Sequence, residues 1–194
     1  GPRNLTIGRL VAIKDLADSL HTPEQLQAAI ASASVAVNDL LKREPDSPLS
    51  HLLAAELANR LRDEPDYEKE LSAAAELAPD DATIQFKLYH ALQYSRDEAG
   101  RQRAHAALGA ASALVPENIF ILTEWLSAQA AAKDPTIAES LKRARRILSP
   151  FATGIELRGR FDVLDGIDQC LAAIETEDWP LIVGKTANIG NVVK

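Results

Sequence analysis

Residues 67–79 read YEKELSAAAELAP and residues 104–116 read AHAALGAASALVP. Aligned on their closing prolines, the two stretches put apolar residues at the same places: Tyr67 over Ala104, Leu71 over Leu108, Ala74 over Ala111 and Leu77 over Leu114. Steps of three and four residues bring these side chains onto one face of an α-helix. Proline lacks a backbone N–H and disfavours helix in the residue before it, so each stretch reads as a helix with one apolar face that stops at Pro79 or Pro116.

Outward from these stretches, Pro45, Pro79, Pro116 and Pro150 stand 34, 37 and 34 residues apart. A period near 34 residues is that of two-helix repeats. Ala33, Val37 and Leu40 follow the same frame before Pro45; before Pro150, Ala138 fits while Leu141 and Ala144 fall one place early. Helix starts are signalled at Thr22-Pro23, Ser47-Pro48 and Asp134-Pro135, each an N-cap residue before a first-turn proline. Thr22 with Gln25, and Ser95 with Glu98, have the spacing of capping boxes. The signals predict helices over 4–20, 23–43, 48–62, 66–77, 82–95, 96–114, 118–132 and 135–148, which make four hairpins. Beyond Pro150, a linker over 151–158 leads to a helix over 159–175 and an amphipathic stretch from Asp178 to Val193. The end of a helical stack needs an atypical cover for its apolar face, and this last pair is predicted to cap it.

Composition agrees with an all-α class: aromatic residues make up 5%, methionine is absent, and Ala and Leu dominate the 46% that is hydrophobic. A net charge of −7 speaks against a general nucleic-acid binder and against an acidic membrane surface. No apolar run approaches the roughly 20 residues that span a bilayer. The single cysteine, Cys170, has no internal partner and no zinc-type spacing around it, which leaves the compartment open and favours a reducing cytoplasm over an oxidising one. Gly1-Pro2 reads as the scar of a cleaved tag with the natural N-terminus removed, residues 3–150 as the repeats and 151–194 as linker and capping helices, so the chain reads as a fragment of a larger protein.

The frame before the prolines resembles that of the tetratricopeptide repeat family, over roughly residues 14–150. In that pattern the alanines lie where one helix crosses its neighbour closely and the larger residues fill the space beside the crossing. First helices match less well: Ile84, Leu88 and Leu92 fit, but the place where a small residue is expected next holds Ala55 in one repeat and the bulky Tyr89 and Leu126 in two others. The resemblance implies a right-handed superhelix, a solenoid of about four such hairpins with the C-terminal pair as cap. It further implies an interaction scaffold that binds a peptide or helix of a partner protein in a concave groove lined by the first helices.

Carried over by position, the groove residues are Leu52, Glu56, Asn59 and Arg60, then Thr83, Phe86, His90, Gln93 and Tyr94, then Phe120, Thr123, Ser127 and Ala130. Phe86, His90 and Tyr94 stand four apart and would form one stripe, either a partner anchor or two packed aromatics with a histidine between them. Family members that grip an acidic chaperone tail use Lys and Asn where this chain has Leu52, Glu56, Phe86 and His90, so the resemblance speaks against that ligand. Lys142, Arg143, Arg145 and Arg146, with Arg158 and Arg160 further on, read as a solvated basic face that complements a helix C-terminus, or as a receiver of an acidic partner or a phosphate. Asp162, Asp165 and Asp168 are expected to face water, since the turn and late Glu of a calcium loop are absent.

No enzyme is expected: His21, His51, His90 and His105 are scattered, and neither a metal pair, a phosphate loop nor a nucleophile elbow occurs. Cys170, among Ile167, Leu171 and Ile174, reads as a small buried residue. No cofactor or metal is implied. Two other readings stand beside the scaffold: a structural module packed permanently against a neighbouring domain, with Trp179 and Leu181-Ile182-Val183 at the contact, or an accessory subunit of an enzyme.

Overall fold

The computed structural model describes residues 22–149 and 163–193. Among these residues are nine α-helices and no strand: α1 (Pro23–Arg43), α2 (Pro48–Leu61), α3 (Glu64–Leu77), α4 (Ala82–Leu92), α5 (Glu98–Leu114), α6 (Ile119–Ala132), α7 (Ile137–Leu148), α8 (Val163–Glu175) and α9 (Trp179–Val193). The helix predicted over 4–20, the linker over 151–158, and Arg158, Arg160 and Asp162 lie outside the described residues.

Helix starts follow local chemistry. The Thr22 hydroxyl accepts from the Gln25 N–H at 3.4 Å while the Gln25 side chain accepts from the Thr22 N–H at 3.2 Å, so the predicted box is present. Pro48 occupies the first turn of α2 as expected, but the Ser47 side chain does not cap it. The capping box predicted at Ser95 is displaced: α5 begins at Glu98, and the Asp97 carboxylate accepts from the Gly100 N–H at 2.5 Å. Arg101 donates to the Ser95 and Arg96 carbonyls, which engages that backbone in the turn. Pro135 likewise precedes its helix, because Asp134 accepts from both the N–H and the hydroxyl of Thr136 and holds a turn there.

Three hairpins share a turn. Arg62, Lys133 and Glu177 have φ values of 56°, 54° and 53°, the left-handed region, although none is glycine. At each, the following aspartate closes the helix by donating its N–H back five residues: Asp63 to Ala58, Asp134 to Gln129 and Asp178 to Ala173. The same aspartate then accepts from the start of the next helix, at Asp66, Thr136 and Leu181. The α8–α9 connection therefore repeats the device of α2–α3 and α6–α7.

The chain divides into two compact units between Ala104 and His105. In the first, α1 packs on α2, α2 on α3 and α3 on α4. Ala33, Val37 and Leu40 meet Leu53, Ala54 and Leu57 in its core. In the second, α6 packs on α7, α7 on α8, α8 on α9, and α9 returns to α6, so these four helices close a ring. Leu122, Leu126, Leu141, Ile167, Cys170, Ile182 and Ile189 fill its interior. Each fully buried leucine there contributes roughly 1.5–3 kcal/mol of transfer free energy.

The frame that opened the sequence reading has a matching burial pattern. Leu71, Ala74, Leu108 and Ala111 are all fully buried. Leu77 and Leu114, expected to fill the space beside a crossing, are instead 39% and 40% exposed, because each lies in the last turn, where the helix runs out into its proline loop.

Candidate functional site

On α2 the predicted residues divide. Glu56 and Arg60 pair with each other at 2.7 Å across one turn, Leu52 is half-buried, and Asn59 is exposed. Burial, and then the charge of Glu56, pushes the Tyr67 hydroxyl up. The more highly built polar contact here is one that scattered histidines did not reveal. His51 Nδ1 lies 2.7 Å from Glu70 Oε2 and its Nε2 lies 2.8 Å from the Pro45 carbonyl, which ties α2 to α3 and to the loop before α2. Lys69 takes the other Glu70 oxygen at 2.9 Å. Burial pushes the Glu70 carboxyl up, but hydrogen bonds from Lys69 and His51 outweigh it and hold it below the ordinary value.

On α4, Ile84, Leu88 and Leu92 face inward as predicted. The aromatic stripe is not the one expected, because α4 ends at Leu92 and Tyr94 falls in the turn beyond it, 86% exposed. Phe86, half-buried, instead meets exposed His90 edge-on at 4.5 Å between ring centroids, and Tyr89 stacks on Phe86 at 6.0 Å. The Gln93 amide contacts His90 Nδ1 at 2.9 Å and orders that ring. Thr83 is exposed, its N–H donating to the Asp81 carboxylate at the helix start.

On α6, Phe120 is 52% exposed and Ser127 half-buried. Thr123 is a correction: it is buried, and so is Ala130. The Thr123 hydroxyl donates to the Phe120 carbonyl, and α9 covers the residue, with a Cβ at Gly190 placed only 4.0 Å from its own. Ile182 is likewise inside the second unit rather than at an external contact, while Leu181 and Val183 beside it are exposed.

Of the basic cluster on α7, Lys142, Arg145 and Arg146 are exposed, as expected of a solvated face, and Arg143 is half-buried. Arg145 pairs with Asp168 of α8 at 2.8 Å, Lys142 pairs with Glu139 at 2.8 Å, and Asp165 accepts from Gln169. Arg143 reaches α5, where its guanidinium donates to the Ser112 hydroxyl at 2.7 Å and the Ser112 carbonyl at 3.3 Å. It lines a cleft of about 560 Å³ between the C-terminal half of α5, α6 and α7, together with Trp125, Gln129, Ser140 and Arg146. Gly109 admits Trp125 to one wall, since a Cβ there would stand 3.1 Å from the indole. His105 lies 4.7 Å from the same ring.

Three polar atoms around this cleft are buried without a hydrogen-bond partner: Arg143 Nε, Gln129 Oε1 and His105 Nε2. Burial first, then the neighbouring charge of Arg146, pulls the Arg143 pKa down. Neither arginine has a carboxylate partner among the described residues. Elsewhere, Cys170 is fully buried, and burial pushes its thiol up to about 11 against a small opposing effect of Lys185. No metal-binding cluster and no helix long and apolar enough to cross a membrane occurs among the described residues. Compared with known proteins, the chain matches no family model and no curated protein sequence.

Proposed function

We propose that this chain is a protein–protein interaction scaffold built of tetratricopeptide-like hairpins, which binds a peptide or helix of a partner through the faces of its first helices. The observation that carries the reading is the aromatic surface of the first unit. Phe86, Tyr89 and His90 form one ring cluster on α4, and Tyr94 stands almost fully exposed beyond its end. Rigid aromatic side chains at a surface give large contact area at low entropic cost, which is why they anchor interfaces. The solenoid reading belongs to the same proposal and draws on the shared frame before Pro79 and Pro116, with its shared burial.

Affinity capture on the immobilised chain, followed by titration of the captured partner, tests this. Phe86→Ala with Tyr94→Ala should weaken a groove partner by tenfold or more, about 1.4 kcal/mol. Unchanged affinity in a variant with the helical circular dichroism of the parent removes the α4 surface from binding. The structural-module reading rests on a different face, the exposed Leu181 and Val183 of α9. Leu181→Ser with Val183→Ser should leave the groove partner bound.

A further inference from the structure

We infer that His51 is a proton-operated clamp, whose ring holds the loop between α1 and α2 against α3 only while both of its nitrogens carry a hydrogen. The two nitrogens face acceptors. Nδ1 lies 2.7 Å from Glu70 Oε2, and Nε2 lies 2.8 Å from the Pro45 carbonyl oxygen. A carbonyl oxygen cannot donate. Burial opposes ionisation of Glu70, but the bonds from Lys69 and His51 outweigh it, so this carboxylate has no hydrogen to give either. A neutral imidazole, with one N–H and one lone pair, can meet one of these oxygens and must set its lone pair against the other. An imidazolium meets both.

The groups around the ring come from three directions. From α3 come the Glu70 carboxylate and, on its other oxygen, Lys69, with Asp66 near that lysine. The loop before α2 brings the Pro45 carbonyl, between the acidic Glu44 and Asp46. α1 packs on α2 through the apolar Ala33, Val37 and Leu40, and the Lys42 and Arg43 of its last turn are exposed. The side chains of His51 and Glu70 are only 17% and 10% exposed, so water is poorly placed to replace either partner.

On losing a proton, the ring keeps the charge-assisted bond to Glu70, the stronger of the two, and gives up the Pro45 carbonyl. The loop that is then released leads into the first turn of α2, where the Ser50 and His51 N–H groups donate to the Ser47 carbonyl. The folded chain holds a proton that the unfolded chain gives up more readily. The clamp therefore contributes in full below about pH 6.5, the ordinary value for a histidine in an unfolded chain, and is lost as pH rises above it.

The test uses the whole chain with its histidines labelled with nitrogen-15. The ring signals of His51, assigned as those that His51→Gln removes, are followed by NMR from about pH 5.5 to about pH 8.5, a range in which histidine is the side chain that ordinarily changes charge. Hydrogen exchange of the Ser50 and His51 amides is followed over the same range, with its intrinsic pH dependence divided out. A hydrogen on both ring nitrogens is expected at about pH 6 and on Nδ1 alone at about pH 8.5, with protection of the two amides about tenfold lower at the higher pH, the scale of one hydrogen bond. In Glu70→Gln the carboxamide can donate to a ring lone pair, so a neutral His51 satisfies both neighbours and the protection should no longer fall as pH rises. A ring with a single hydrogen at about pH 6, or protection that falls equally in the parent and in Glu70→Gln, would overturn the inference. The ring signals are read in the parent chain and decide the matter even where a variant is less stable.

Discussion

Two helix crossings in this protein bury charged and polar side chains, and they resolve the burial in opposite ways. Where α2 meets α3, both nitrogens of His51 and both oxygens of Glu70 have partners. Where α5, α6 and α7 meet, Arg143 and Gln129 are each held by two bonds and each keeps one buried atom unmatched. A complete set of bonds works as a latch between helices. An incomplete set leaves buried polar atoms whose desolvation nothing in the crossing offsets.

The largest effect that would sharpen this contrast is His51→Ala. It removes the contacts to the Glu70 carboxylate and the Pro45 carbonyl, both acceptors for a ring that in its neutral form has a single N–H, and should cost about 2–3 kcal/mol in chemical denaturation. A loss under about 0.5 kcal/mol would show that the latch is ornamental and would break the comparison.

Next in size is Glu70→Gln, expected to cost about 1–2 kcal/mol at neutral pH through the lost charge-assisted bonds. The Glu70 pKa is lowered from 4.5 in the folded protein, so its contribution is present above about pH 4.5 and is lost as pH falls through the folded value. Denaturation measured from pH 7 to pH 3 should therefore show parent and variant converging at the acid end. Parallel curves would contradict the assignment.

In the cleft the expected effects are smaller, because its polar atoms are not all satisfied to begin with. Arg143→Met exchanges a partly desolvated charge for an apolar side chain of similar length and should fall within about 1 kcal/mol of the parent. A loss as large as that of His51→Ala would mean that Arg143 is itself a latch. Smallest is Arg146→Gln, an exposed change, which should stay within about 0.5 kcal/mol of the parent.

Much of the helical organisation was legible in the chain. The frame at Leu71, Ala74, Leu108 and Ala111, the stops before Pro45, Pro79 and Pro116 and the Thr22 box all follow from local periodicity and backbone chemistry. Local turn competition was less legible: Ser95 has the spacing of a cap, but Asp97, two residues on, makes the bond to Gly100. The repeated turn did carry a signal, since Asp63, Asp134 and Asp178 each precede a proline by one or two residues. The basic run on α7 was visible as charge only. Its division into Arg145 toward α8, Lys142 toward Glu139 and Arg143 toward α5 depends on which helices lie alongside, and no spacing within the run encodes that.

The amino-acid sequence by itself determined that the chain is helical, where most helices begin and end, and which face of each is apolar, because those properties are set within a turn or two of each residue. Tertiary structure alone decided that α9 returns to α6 and buries Thr123, that Tyr94 stands clear of its helix, and that Ser112, Gln129 and Arg143 meet around one cleft. These outcomes depend on contacts between residues far apart in the chain, where a hydrogen bond is satisfied or left open only once the partner helix is in place.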